Sequence, residues 1–216
     1  MSDNIEKKIS EPLLSKKRKE LLSNPMDSDN PITIQVLGIC SALAVTIALE
    51  GTVIMALAVF FVLVMANVII SALRNTIPNR IRIIVQLVVV ASLVAVVDQV
   101  LRAFAYEQSK ALSVFVGLII TNCIVMGRLE AFAMGNKPWD SFLDGVGNAV
   151  GYGWIIIAIA FVRELFGAGK LFGFPVFESI GLDYIGNGFF ATPAAACIIL
   201  GVIIWILRAR SGYVED

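Results

Sequence analysis

Gly51-Thr-Val-Ile-Met-Ala-Leu-Ala-Val-Phe-Phe-Val-Leu-Val-Met-Ala-Asn-Val-Ile-Ile-Ser-Ala-Leu73 is an uninterrupted run without a single charge. As a helix it is long enough to cross a bilayer, whose hydrocarbon core takes about 20 apolar residues. Five more hydrophobic segments flank it, at 32–49, 82–101, 111–127, 146–162 and 189–207. In lipid each segment must satisfy its own backbone hydrogen bonds, so all six are expected to be helices. The expected fold is therefore all-α and integral to the membrane. Six transmembrane helices fill residues 31–210, between a basic tail at 1–30 and a short tail at 211–216.

The bulk composition agrees. Of 216 residues, 58% are hydrophobic and 16% charged, with mean hydropathy +0.84. Soluble domains sit near 45–50% apolar and about 25% charged, so the excess needs lipid to cover it. The formal net charge is zero, and nothing points to nucleic acid. The polar first 30 residues do not read as a cleaved signal peptide. The chain has no histidine. That removes the commonest general base and any site that needs imidazole. Three widely spaced cysteines in apolar surroundings do not make a disulfide framework.

Lys and Arg set the orientation. With the N-terminus inside, the tails and the loops 74–82 and 128–145 hold thirteen of them, and the outer loops hold four. Both termini are thus expected in the cytoplasm. The six segments also divide as three plus three. An odd number forces the two halves to run in opposite directions, the inverted repeat of many transport proteins. Segments 1 and 4 then correspond. Both are short, each carries one cysteine, and both are candidates for half-helices.

Cys40 lies in Leu37-Gly-Ile-Cys40-Ser-Ala-Leu-Ala-Val-Thr46, and Cys123 in Ile120-Thr-Asn-Cys123-Ile-Val-Met-Gly-Arg128. Each is at a depth where the two can meet, and each also reads as a small apolar core residue. Two thiolates do not complete a cluster or an all-thiolate zinc site, which want four. A partner chain with the same two cysteines would supply the rest. Cys197 is assigned to packing. Asp98 stands four residues before Arg102, so it reads as a helix-surface ion pair or as a step in a cation path. Glu50, Glu130 and Asp144 flank spans, and Asp144 is the other candidate for a cation path. Arg163-Glu164 reads as an ion pair at the outer surface. The run Gly145-Val-Gly-Asn-Ala-Val-Gly-Tyr-Gly153 fails as a nucleotide loop. Gly147 and Gly151 instead have the small-xxx-small spacing that lets membrane helices approach.

The blocks Asn30-Pro31-Ile32, Leu37–Thr46, Arg82–Leu87, Val97–Leu101, Gly117–Arg128 and Arg163–Gly173 carry a family resemblance. Between about Asn30 and Arg210 the chain resembles the D-type subunits of sodium-translocating NADH:quinone reductases and their Rnf-type relatives. Thr121-Asn-Cys-Ile-Val-Met-Gly-Arg128 is the most specific block, and Ser41-Ala42-Leu43 favours the quinone reductases. Residues 1–24 extend before the expected start of the resemblance.

The resemblance implies a place in the bacterial cell inner membrane, beside the other subunits of a reductase complex and its lipid. It implies a homologous partner of inverted topology, the E-type subunit, and a 2Fe–2S cluster shared with it. The ligands from this chain fall on Cys40 and Cys123, and Thr121 and Asn122 stand beside them to hydrogen-bond the cluster. NADH, flavins and quinone (ubiquinone or menaquinone) belong to other subunits, and sodium movement is tied to electron transfer. Rival readings are a component of an Rnf-type ferredoxin:NAD oxidoreductase, a stand-alone inverted-repeat transporter, and a membrane scaffold.

Overall fold

The computed structural model describes residues 21–26, 30–78, 80–104, 116–171, 174–175 and 188–211. These are α-helical apart from turns and one two-residue ladder, β1 (Lys170–Leu171) against β2 (Phe174–Pro175). The helices are α1 (Ile39–Val45), α2 (Leu49–Leu73), α3 (Arg82–Phe104), α4 (Cys123–Arg128), α5 (Pro138–Gly167) and α6 (Pro193–Ser211). A helical turn at 116–120 precedes α4, and a π turn, Leu129–Ala133, extends it.

Among the described residues four helices are long and apolar enough to cross a membrane: Leu49–Leu73, Arg82–Ala103, Val116–Ala133 and Pro138–Gly167. Segment 6 is the shorter apolar helix Pro193–Ala209. Segment 1 departs most from the expected six spans. Turns occupy 31–34, and only the seven residues of α1 are helical before the chain breaks again at 46–48. Segment 4 is helical on both sides of a break at Thr121-Asn122. Its expected start, 111–115, lies outside the described residues. Both cysteine-bearing segments are therefore interrupted just before their cysteine.

Helix α5 organises the rest. Its 30 residues are about 45 Å long at 1.5 Å per residue. It begins at Pro138 rather than near 146, because proline is suited to the first helical position, where its missing N–H has no partner to lose. The polar side chains Ser141, Asp144 and Asn148 then fall on one face, all buried. Helix α2 lies along α5, and a Cβ at Gly145 would come 3.2 Å from the Val64 Cα. Asn67 of α2 donates to the Ser141 carbonyl at 3.2 Å. Helix α3 pairs with α2 through the turn at 74–81 and leaves Ile83, Ile84, Val88, Val96 and Val100 exposed. Such a surface suits lipid or a neighbouring subunit. Its base is held by Arg82 and Gln86, which both reach Glu130 on the π turn.

Gly147 and Gly151 do permit a close approach, but the visitor is the N-terminal segment. A Cβ at Gly147 would lie 2.7 Å from the Leu21 carbonyl oxygen, and one at Gly151 would collide with that of Pro25. Pro25 is buried there. Asn30 then donates to the Gly151 carbonyl at 3.2 Å while its own oxygen accepts from Ile32 N–H at 3.0 Å. The packed chain thus begins before residue 30, and residues 1–20 lie outside the described residues.

From the level of Tyr152, α1 and α4 leave along α5 in opposite senses. The end of α1 reaches Arg163, near the C-terminus of α5. Helix α4 reaches Asp144 through Arg128 and then turns into Pro138 at the N-terminus.

Candidate metal centre

The break before Cys40 has a specific cause. Gly38 has φ +83°, in the left-handed region that favours glycine. A Cβ there would also lie 2.9 Å from the Tyr152 ring. The left-handed turn starts α1 at Ile39, which puts Cys40 in its first turn. The second break is capped by Asn122, whose side-chain oxygen accepts from Ile124 N–H at 3.3 Å. This is an N-cap, and it makes Cys123 the first residue of α4.

The two helix starts bring cysteines 83 positions apart to an Sγ–Sγ distance of 3.7 Å. The Gly38 N–H also donates to the Cys123 sulfur at 3.3 Å. A tetrahedral ion that binds thiolates at about 2.3 Å holds two of them about 3.8 Å apart. The pair therefore fits two ligands of one metal ion. The donor set is soft and all sulfur, which suits iron–sulfur or zinc chemistry. Among the described residues no third His, Cys, Asp or Glu joins them. Cys40 is exposed on this chain and Cys123 half-buried, so the open side of the pair faces outward.

A buried polar knot backs the pair. The Ser41 hydroxyl donates to the Gly38 carbonyl at 2.8 Å and meets the Tyr152 hydroxyl at 2.7 Å. The Asn122 amide donates to the Ser41 oxygen at 3.3 Å. Asn122 therefore turns its side chain towards Ser41 and its own helix end, and Thr121 sits exposed at the break. Tyr152 is fully buried and is the fifteenth of the 30 residues of α5. The sulfurs thus sit beside the middle of the longest helix.

The acidic candidates stand apart from the sulfurs. Asp98 pairs with Arg102 at 2.9 Å on α3. Asp144 is buried and bonded by the Arg128 guanidinium, with Arg128 Nε at 3.1 Å, and by Asn148 at 3.1 Å. Cys197 is exposed on α6.

Arg163 and Glu164 do not form the expected surface pair. Arg163 is buried, and all five of its N–H groups are used. They reach the Leu43 carbonyl, the Thr46 hydroxyl and the carbonyls of Phe190, Ala191 and Thr192, at 2.7–3.3 Å. The Glu164 carboxylate accepts from Leu49 N–H at the start of α2. A cation thus caps the C-terminal end of α1, and an anion caps the N-terminal end of α2, as helix dipoles favour.

The family described as "Rnf-Nqr subunit, membrane protein" matches residues 18–204. The chain belongs to the Rnf-Nqr family. That match begins at residue 18, earlier than the expected start near Asn30, and so takes in the docked segment 21–26. Two Rnf-Nqr relatives are named as the D subunit of Na(+)-translocating NADH-quinone reductase. The one from Pasteurella multocida (strain Pm70) is 58% identical over 90% of this chain and 94% of its own length. The one from Yersinia pestis (strain Pestoides F) is 57% identical over the same shares.

Proposed function

We propose that this chain is the D subunit of a sodium-translocating NADH:quinone reductase and acts as its membrane electron relay. The observation that carries the reading is the 3.7 Å separation of the Cys40 and Cys123 sulfurs. Two relatives that align with nine-tenths of the chain bear the D-subunit name, which favours this reading over the Rnf-type alternative.

Cys40 and Cys123 would supply two ligands of a 2Fe–2S cluster, and two cysteines of the homologous E-type partner would complete the four. Such a cluster supplies one-electron transfer within the membrane. The Gly38 N–H, bonded to the Cys123 sulfur, stabilises negative charge there. The exposed side of Cys40 is the side the partner covers. The opposite courses of α1 and α4 from the middle of α5 support a 3+3 inverted repeat. NADH, flavins and quinone stay with other subunits, and the chain sits in the bacterial inner membrane with both ends cytoplasmic. A cytoplasm-dependent reporter fused after Asp216 must then be active.

Asp144 belongs to the proposed cation route. Asn67, Ser141 and Asn148, on or against its face of α5, each carry a buried oxygen without a hydrogen-bond partner. Asp98 is its second acidic group.

The test is an iron count with EPR on the whole purified complex. The wild type is expected to hold a membrane iron signal that Cys40→Ser and Cys123→Ser each remove while the complex stays assembled. Unchanged iron in both variants returns the cysteines to packing and favours a transporter or scaffold.

A further inference from the structure

We propose that Tyr152 is a positioning residue of the thiolate pair, which sets the redox properties of a centre held there without touching either sulfur. The inference rests on the proposed function.

Proton accounting at Ser41 makes the case. Its hydroxyl has one proton and two lone pairs. The proton goes to the Gly38 carbonyl at 2.8 Å. The 2.7 Å contact with Tyr152 must then use the Tyr152 proton. The Asn122 amide fills the other lone pair at 3.3 Å. Ser41 is thereby saturated, and all its partners are fixed.

Apart from Tyr152, each member of the knot leads to a sulfur. Ser41 follows Cys40 in the chain. Asn122 precedes Cys123 and caps its helix. Gly38, which receives the Ser41 proton, gives its own N–H to the Cys123 sulfur at 3.3 Å. These groups all belong to the two interrupted segments. Tyr152 alone comes from α5, so its hydroxyl is the bond that ties the knot to the long helix. Its ring closes against Gly38, where even a methyl group would be 2.9 Å away.

Lost hydrogen bonds in a dry interior are not replaced by water. Removing the phenol hydroxyl leaves a Ser41 lone pair empty and removes the bond from α5 to the polar knot behind the cysteines. It also removes an O–H dipole beside a centre that gains negative charge on reduction. The nearby hydrogen-bond network is one of the settings of an iron–sulfur potential.

The experiment compares the whole complex with Tyr152→Phe and with Ser41→Ala, reading iron content, EPR line shape and midpoint potential in a redox titration. Tyr152→Phe is expected to keep its iron, lower the potential and broaden the EPR signal. Ser41→Ala should shift the potential in the same direction, and the double variant should shift it by less than the sum. Iron lost from an assembled Tyr152→Phe complex also supports the proposal, because the sulfurs are then no longer held. If Tyr152→Phe prevents assembly, Ser41→Ala decides, since it removes the same bond from the smaller side. Normal iron with unchanged potential and line shape overturns the proposal and leaves Tyr152 as packing. A wild-type complex without iron instead refutes the parent reading.

Discussion

At the level of single residues, Arg163 is the largest fully buried side chain. Among the described residues its guanidinium is met by dipoles: four carbonyls and one hydroxyl. Replacing it with Met would take the donor from all five acceptors, at about 1–3 kcal/mol for each one that is buried, as the Thr46 hydroxyl is. Arg163→Met should therefore sharply reduce the amount of this chain in membranes, seen by immunoblot, whereas the surface pair expected from sequence would have allowed near-normal levels. That misreading has a physical source. Neighbours in a chain look like partners, but residues i and i+1 on a helix point about 100° apart. Here each serves a different helix end. The cysteines were easier to read, because a thiol in each of two matched segments is visible without coordinates. Tyr152 was not, since nothing in an apolar segment separates a phenol with a task from one that fills space.

For the elements, the decisive feature is where helices begin. Thr121-Asn122 is the break, and the Asn122 cap is its chemical marker. Asn122→Ala removes the cap, which costs about 1 kcal/mol, and also the bond to Ser41. Asn122→Ser restores the cap but not the longer reach. If the cap matters most, iron loading should fall in Asn122→Ala and recover in Asn122→Ser. Equal loss in both would assign the effect to the Ser41 bond instead. Helix existence was legible from hydropathy for α2, α3 and α5. Helix interruption was not, because Ile34, Val36 and Leu37 look as apolar outside a helix as in a span. The left-handed Gly38 and the Asn122 cap were the available signals, and both residue types are common in ordinary membrane helices.

Across the whole molecule, α5 is the axis against which everything else is placed. Its N-terminal half carries Asp144, its midpoint Tyr152 and its C-terminal half Arg163 and Glu164. The proposed cation group and the sulfur pair therefore sit at different depths on one helix. Asp144→Asn should lower sodium-stimulated turnover several-fold yet leave iron content intact, and an equal loss of both would mean a damaged fold. Asp144→Asn also removes the charge that meets Arg128, so the level of the chain in membranes belongs in the same measurement. Charge counting gives an expected orientation of the loops, and only the packed structure reveals the N-terminal segment at Gly147 and Gly151.

The position of Tyr152 halfway along α5 has an electrical meaning. One elementary charge that crosses the full membrane against a potential of 100 mV changes its energy by about 2.3 kcal/mol. An electron of the proposed relay, held beside the midpoint, would have about half of that potential drop on each side. The voltage is then divided into two nearly equal steps of about 1 kcal/mol per 100 mV. In the proposed relay neither hop alone would bear the whole load, and an energised membrane would bias entry to the centre and exit from it about equally.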